Sequence, residues 1–152
     1  MNISAKSDYA VRALLMLAAA GHDRPIKGEA ISSGQNIPAK FLENILLDLR
    51  RAGIVSSQRG SEGGYRLSRP AASITLAEVI RGVDGPLANI RGVRPEVAEY
   101  AEPATALREV WVAMRAAMRS VLEAVTLADV ASGHLPPAVA AMAADPDAWV
   151  PH

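Results

Sequence analysis

Side chains with hydrogen-bonding or positively charged groups are concentrated between residues 38 and 60 of this 152-residue chain. They include Lys40, Glu43, Asn44, Arg50, Arg51 and Arg59. Amide and carboxylate groups can hydrogen-bond to the edges of nucleic-acid bases, whereas Lys and Arg mainly neutralise phosphates. This combination of residue types is typical of a surface that binds nucleic acid.

These side chains need a helix and a hairpin to position them. From Pro38 to Ala52, apolar residues recur at helical spacing and predict a buried stripe of Phe41, Leu42, Ile45, Leu46 and Leu49. Pro38 suits the first position of that helix and Gly53 its end. Two short strands should follow, joined by a glycine-rich tip at residues 59–64. A shorter helix at residues 27–33 precedes them, and Gly34 is expected to supply a positive φ at the corner between the helices.

A helix, a tight turn, a second helix and a hairpin in this order predict a winged helix-turn-helix, which binds double-stranded DNA. Ala39 could contact a thymine methyl group, Glu43 a cytosine amine and Asn44 an adenine. Lys40, Arg50 and Arg51 are expected at phosphates, and Arg59 in a narrow minor groove. The full predicted DNA-binding set is Lys6, Tyr9, Lys27, Pro38, Ala39, Lys40, Phe41, Glu43, Asn44, Arg50, Arg51, Arg59 and Gly60. The alternative is a solvated charged helix face beside an ordinary hairpin.

Three further helices are predicted around this unit. The first covers residues 3–20, with Ser4 or Ser7 as its cap. The next covers residues 75–82, where Thr75 and Glu78 have the spacing of a capping box. The longest covers residues 104–125, and its apolar stripe is too wide for a helix that only covers a small domain. The stripe is predicted to form a dimer interface and comprises Leu107, Val110, Trp111, Met114, Ala117, Met118, Val121, Leu122 and Val125.

The predicted fold class is therefore mainly α with a small β-hairpin wing, and the chain divides into four parts. Residues 1–83 form the winged helix-turn-helix domain and residues 84–103 an irregular loop of the kind used by sensors. Residues 104–132 form the dimerisation helix region and residues 133–152 a C-terminal tail.

The irregular loop has residues that could bind an anionic small molecule. Arg91 and Arg94 lie close together in the sequence and could clamp an anion, with Trp111 as an apolar wall. Alternatively, these arginines pair with Glu96, Glu99 or Glu102, or contact DNA phosphates, and Trp111 is a core or interface residue.

Charge and composition narrow the function further. The net charge is zero, but residues 1–70 contain ten Lys or Arg against six Asp or Glu, whereas residues 71–152 contain six against ten. This polarity favours a basic DNA-binding part on an acidic body, although chance could also produce it. No apolar run is long enough to span a membrane and no signal peptide is evident, so a cytoplasmic protein is expected. The glycine run at residues 60–64 lacks the Lys-Ser/Thr of a phosphate loop, and no catalytic triad is evident, so no enzyme activity is expected.

Three segments resemble the Rrf-type winged helix-turn-helix regulators, the group that includes the IscR, NsrR and CymR types. They are SAKSDYAVRAL at residues 4–14, IPAKFLENILLDLRRAGIVSSQRGSEGGYRL at 37–67 and ITLAEVIRGVDGP at 74–86. Weaker similarity returns at LREVW (107–111) and VTLADV (125–130). The resemblance implies a homodimeric repressor or activator in which two long helices cross and each winged helix binds half of a palindromic operator.

The chain departs from this group at one important point. Many members hold an iron–sulfur cluster through three cysteines in the loop that corresponds to residues 84–103, but this sequence contains no cysteine. Its histidines, His22, His134 and His152, are far apart in the sequence, so no metal site and no cofactor are predicted. The remaining options are a small-molecule effector, a partner protein or no effector. The predicted function is a homodimeric DNA-binding transcriptional regulator, with a protein-interaction module on a winged-helix scaffold as the alternative.

Overall fold

The computed structural model describes residues 2–151, and its elements are mainly helical. Within that range the helices are α1 (Ala5–Ala20), α2 (Gly28–Gln35), α3 (Ala39–Arg51), α4 (Leu76–Asp84), α5 (Leu107–Leu122), α6 (Leu127–Ser132) and α7 (Pro137–Ala144). Strands β1 (Val55–Gln58) and β2 (Gly64–Leu67) form an antiparallel hairpin, and 3₁₀ turns cover Ala71–Ser73, Pro95–Val97 and Pro146–Trp149. The predicted fold class, mainly α with a hairpin wing, is confirmed. None of the helices in this range is long and apolar enough to cross a membrane.

One apolar core holds together α1 to α4, the hairpin and α6, which we call the head. Helix α1 lies at its centre and packs against α2, α3, α4, α6 and β2. The residues that α1 buries are spaced three and four apart, which places them on one face of the helix. Fully buried side chains from the other elements include Ile31, Ile45, Ile74 and Leu127.

Helix α6 belongs to the head although it follows α5 in sequence. The backbone N–H of Leu76 donates to the carbonyl of Val125, and that of Leu127 donates to the carbonyl of Ile74, both at 2.9 Å. Val125 is only 3% exposed as a result. Its predicted place in the dimer interface is therefore wrong, because α5 ends at Leu122 and the chain then returns to the core. Residues 125–132, which the sequence analysis assigned to the dimerisation region, pack with the head.

Several predicted helix ends agree with the structure, and one turn does not. Ser4 caps α1 by accepting a hydrogen bond from the Ser7 amide, and Thr75 forms the predicted capping box with Glu78. Asn36, with a φ of 52°, provides the left-handed residue between α2 and α3. The prediction of Gly34 for that role is wrong, because Gly34 lies within α2. A Cβ on Gly34 would lie 2.7 Å from the Cε atom of Met16, so a larger residue there would require the flexible Met16 side chain to move.

Helix α3 buries four of the five residues predicted for its stripe: Leu42, Ile45, Leu46 and Leu49. The fifth, Phe41, is 41% exposed, so its assignment to the core stripe is wrong. Phe41 lies at the edge of the stripe, where its ring packs edge-on against Tyr9 with centroids 5.7 Å apart. Its exposed part remains available on the surface of the head.

The hairpin, which we call the wing, is fixed to the segment that precedes α2. Its strands pair from Val55 with Leu67 to Gln58 with Gly64. In addition, the amide of Ile26 donates to the Tyr65 carbonyl at 2.9 Å, and the amide of Tyr65 donates to the Ile26 carbonyl at 2.7 Å. These two hydrogen bonds form an antiparallel β-bridge between Ile26 and Tyr65 and set the position of the wing relative to α2.

Helix α5 has a different environment from every helix of the head. It packs along the 3₁₀ turn at Pro95–Val97 and touches α4, yet none of its residues is fully buried. Val110 is 54% exposed, and Leu107, Trp111, Met114, Met118, Val121 and Leu122 are only partly covered. An apolar helix face of this length is thus left uncovered within the chain.

We predict that Gly64→Ala destabilises the protein by about 1–3 kcal/mol more than Gly60→Ala does. Both glycines have positive φ, so Gly60→Ala should cost the strain of that backbone conformation, about 1–2 kcal/mol. At Gly64 the added Cβ would also lie 2.5 Å from the Ile26 carbonyl oxygen, whereas nothing lies within 4 Å at Gly60. The extra cost is that of forcing a methyl group into a packed site. Urea unfolding measures the stability, and hydrogen exchange of the Ile26 and Tyr65 amides measures the attachment of the wing. Equal stability and equal exchange in the two variants would contradict this account.

Candidate nucleic-acid interface

The side of α3 opposite its buried stripe carries polar and basic residues. Six residues predicted to contact DNA are exposed there: Pro38, Ala39, Lys40, Glu43, Asn44 and Arg50. Leu42, Ile45, Leu46 and Leu49 anchor the helix from beneath. The helical period thus separates one face that packs from one face that can bind.

The orientation of α3 is set by the corner that precedes it. The amide of Ile37 donates to the Ser32 carbonyl at 2.9 Å, and the Ser32 hydroxyl donates to the Ile37 carbonyl at 2.6 Å. The guanidinium of Arg12 on α1 donates to the backbone carbonyl and to the side-chain oxygen of Gln35. These contacts tie the end of α2 and the start of α3 to α1, so the N-terminal end of α3 is held on a rigid base.

A groove of about 340 Å³ separates the start of α2, α3 and the wing. Lys27 lies at its α2 side, Ala39 and Glu43 on its α3 side, and Gly60 at the wing tip. Gly63 allows the tip to close, since a Cβ there would lie 2.2 Å from the carbonyl oxygen of Gln58. A recognition helix, a groove and a projecting loop are the parts that a winged helix uses on duplex DNA.

The basic side chains of this surface differ in whether they form ion pairs with other residues of the chain. Lys27, Lys40, Arg50 and Arg59 are exposed, and none of them forms an ion pair within the part of the chain that the structure describes. Arg51 lies 3.6 Å from Asp48 with 71% of its side chain exposed. Cationic groups that are exposed and free of internal partners can neutralise phosphates without losing intramolecular contacts.

Lys6 has a structural role that the sequence did not suggest. Its ammonium group lies 2.7 Å from an Asp48 carboxylate oxygen and donates to the Val83 carbonyl at 2.6 Å. Lys6 thereby joins α1, α3 and the end of α4, while 30% of its side chain stays exposed. Its DNA contact stays a prediction. Tyr9 is partly covered by Phe41 and by the guanidinium of Arg12, 5.3 Å from the ring centre.

The three residues predicted to form one effector pocket are not brought together. The guanidinium of Arg91 lies over the ring of Tyr100, 5.6 Å from its centre. Arg94 lines a cavity between α4 and α5, whereas Trp111 lines another one with Met114 and residues 87–90. The predicted pocket of Arg91, Arg94 and Trp111 is thus wrong, because the three side chains have different surroundings. The indole N–H of Trp111 is buried and has no hydrogen-bond partner within residues 2–151.

The cavity that contains Arg94 was not anticipated from the sequence. It also contains Arg81, Arg115 and Arg119, together with Glu96. The only signal for it was the spacing of Arg115, Arg119 and Glu123 at four-residue steps, which places them on one side of a helix. That Arg81 and Arg94 join them depends on how α4 and the loop pack against α5.

The sequence does not fit an iron–sulfur cluster, and the residues that the structure describes do not fit a metal site. The sequence has no cysteine, so it lacks the thiolate ligands of such a cluster. Among residues 2–151, no three His, Asp or Glu side chains lie close enough to share a metal ion. His22 follows α1 and His134 follows α6, while His152 lies outside the described residues.

Comparisons with known proteins agree with this geometry. Residues 3–133 match the Rrf2 family, described as iron-dependent transcriptional regulators. A helix-turn-helix-type transcriptional regulator of Mycobacterium tuberculosis is 50% identical over 145 residues, which cover 95% of this chain and 90% of that protein. The regulator CymR of Bacillus subtilis is 36% identical over 132 residues, which cover 87% of this chain and 91% of CymR.

Solved structures show the same similarity. The structure of CymR, described as the global cysteine regulator of B. subtilis, superposes with a TM-score of 0.74 at 35% identity, covering 88% of this chain and 98% of that one. The structure of T. potens IscR superposes with a TM-score of 0.71 at 28% identity and covers 88% of both chains. The proteins of the family are transcriptional regulators and not enzymes. This chain belongs to the Rrf2 family of winged helix-turn-helix transcriptional regulators.

Proposed function

We propose that this regulator binds a palindromic DNA operator as a homodimer and acts as a repressor. The observation that carries the DNA contact is the exposed polar face of α3 next to an anchored wing. In this arrangement the N-terminal half of α3 enters the major groove, where Ala39, Glu43 and Asn44 lie nearest the base edges. Arg59 at the wing tip enters the adjacent minor groove, where a narrow groove concentrates negative potential.

The charge distribution supports this placement. Residues 1–70, which include α3 and the wing, carry ten basic and six acidic residues. The free cations Lys27, Lys40 and Arg50 surround the groove and the exposed face of α3. They would hold phosphates on both sides of the major groove, which gives affinity without sequence preference.

The uncovered face of α5 supports the dimer. In a monomer, α5 has no buried residue, and its apolar face would remain in contact with water. Val110 on this helix is more than half exposed. Packing two α5 helices across a two-fold axis covers both faces at once, and each contact is made twice. The two α3 helices then lie about 34 Å or slightly more apart, one turn of DNA, and match two half-sites.

We predict that Arg59→Ala weakens binding to a specific operator by about 1–3 kcal/mol, the scale of one good contact. Lys40→Ala should instead weaken binding to all DNA sequences alike and reduce the slope of log K against log salt by about one. Arg108→Ala on α5 removes the same charge outside the head and serves as the control. Fluorescence anisotropy measures the DNA affinity of the three variants over a range of salt concentrations. The two probes are the DNA upstream of the gene that encodes this protein and an unrelated duplex. Wild-type affinity and specificity in Arg59→Ala would exclude the wing from recognition.

We predict that Val110→Glu yields monomers that fold normally and lose affinity for the palindrome. A charge buried between two α5 helices is costly to desolvate, whereas in a monomer the same side chain is exposed to water. Val97→Glu is the matched control, since Val97 is 62% exposed but lies in the 3₁₀ turn and not on α5. Sedimentation at micromolar concentration, together with a circular dichroism spectrum, separates loss of the dimer from loss of folding. A wild-type protein that sediments as a monomer would overturn the dimer.

A further inference from the structure

A cavity of about 420 Å³ lies between α4 and α5, and none of the residues assigned to DNA lines it. Its walls are the end of α4, residues 85–88, the 3₁₀ turn at Pro95–Val97 and the middle of α5. We call it the arginine cavity, since four arginines line it: Arg81, Arg94, Arg115 and Arg119. These are four of the six basic residues in the whole of residues 71–152, so their convergence runs against the acidic character of this half.

Two carboxylates face these four arginines. Glu96 pairs with Arg115, while Glu123 lies 2.5 Å from a nitrogen of Arg81 and 3.0 Å from one of Arg119. Hydrogen bonds from Arg119 and then Arg81 lower the pKa of Glu123. A hydrogen bond from its own backbone amide, followed by one from Arg115, lowers the pKa of Glu96. Both groups are therefore ionised at neutral pH, and the four guanidinium groups exceed the two carboxylates by two positive charges.

Arg94 carries part of that excess. Its side chain forms no hydrogen bond and no ion pair within the part of the chain that the structure describes, although its charge contributes to lowering the pKa of Glu96. Ordinary salt bridges between helices would account for Arg81, Arg115 and Arg119, each of which has a carboxylate partner. They do not account for a fourth arginine on the same cavity. Arg94 is exposed, so its guanidinium is free to contact an anion that enters the cavity.

The lining of the cavity suits a small anion. Pro86, Leu87 and Ala88 form an apolar part of the wall, against which a short carbon skeleton could pack. The guanidinium groups present planar pairs of N–H donors that match carboxylate and phosphate oxygens. A volume of about 420 Å³ falls in the usual range for small-molecule sites.

We propose that the arginine cavity binds a small dianion, a molecule with two carboxylate groups or a phosphate group. Arg94 and Arg115 on one side and Arg81 and Arg119 on the other contact its oxygens. The ligand thereby connects α4, which packs in the head against α1 and α3, with α5, which carries the uncovered apolar face. The effect of the dianion on DNA affinity rests on the proposed function, whereas the binding of the dianion to the DNA-free protein does not.

The regulatory consequence follows from the contacts that join these two helices. The segment after α5 is tied to the start of α4 by the Leu76–Val125 backbone hydrogen bond. Along its length, α5 packs on the 3₁₀ turn and makes a limited contact with α4, and Arg81 pairs with Glu123. A bound dianion adds charge-assisted hydrogen bonds at this junction. Because the direction of α5 would set the spacing of the two heads in the dimer, the ligand changes affinity for the palindrome.

Isothermal titration calorimetry on the free full-length protein tests the site. Succinate and inorganic phosphate are the dianionic probes, acetate is the monoanionic control, and ionic strength is held constant. At least one dianion should bind at millimolar or lower concentration, and acetate should not. The probe that binds shows whether the site takes two carboxylates or a phosphate. Absence of binding by both dianions, or equal binding of acetate, would overturn the proposal.

Arg94→Ala is the decisive variant, because no internal ion pair depends on Arg94. It should weaken binding of the dianion by about tenfold or more, the loss expected for a charge-assisted hydrogen bond. Arg108→Ala removes a charge from the same helix region outside the cavity and should bind the dianion as the wild type does. Unchanged binding in Arg94→Ala, or an equal loss in Arg108→Ala, would show only a general effect of charge and would reject the cavity.

DNA binding measured with and without the dianion separates this proposal from the proposed function. The dianion should change the operator affinity of the wild type and leave that of Arg94→Ala unchanged. If Arg94→Ala weakens DNA binding without any dianion and reduces its salt dependence, the arginines contact DNA phosphates, and the small-molecule site is rejected. A protein that binds the dianion but no DNA would keep the site and reject the proposed function. A protein that binds both without coupling would reject the regulatory role.

Discussion

The burial of one face of α1 is the contact on which the rest of the structure depends. Ala10, Ala13, Leu14 and Leu17 are at most 2% exposed, and they meet side chains from α2, α3, α4 and α6. Each fully buried leucine contributes about 1.5–3 kcal/mol relative to an exposed one. The two alanines allow neighbouring helices to approach closely. Without this face, α2 and α3 would have no common base, and the recognition helix and the wing would lose their relative orientation.

Polar contacts at the start of α1 complement this core. The Ser4 and Ser7 hydroxyls both donate to the same Asp84 carboxylate oxygen at the end of α4, and Ser7 is only 1% exposed. One helical turn includes Lys6, which joins Asp48 on α3 and the Val83 carbonyl on α4. The Lys6–Asp48 pair is about 30% exposed, so its contribution to stability is modest. Its geometric effect is larger, because it fixes the C-terminal end of α3 while the Asn36 corner fixes the other end.

The two halves of the chain use different forces as a consequence. The head is held by a continuous apolar core, whereas α5 is held by a 3₁₀ turn, a limited contact with α4 and ion pairs among arginines and glutamates. Partly exposed ion pairs rearrange at lower cost than packed side chains. A packed unit that carries the DNA-binding helix is thus joined to a helix held largely by ion pairs, and the proposed anion and the proposed second protomer would both act through that helix.

The sequence by itself determined the local features of this protein. The stripe in α3, the hairpin and the Thr75–Glu78 capping box all follow from residue types within one or two turns of chain, because helical period, turn chemistry and capping act over that range. The lack of cysteine excluded a thiolate-bound cluster without any structure. The tertiary structure decided which distant groups meet. It placed Asn36 at the corner in place of Gly34, returned Val125 to the core and paired Lys6 with Asp48. It also separated Arg94 from Arg91 and Trp111 and brought it near Arg81. Those outcomes depend on how loops close and helices pack over tens of residues, and periodicity within a single element contains no information about that.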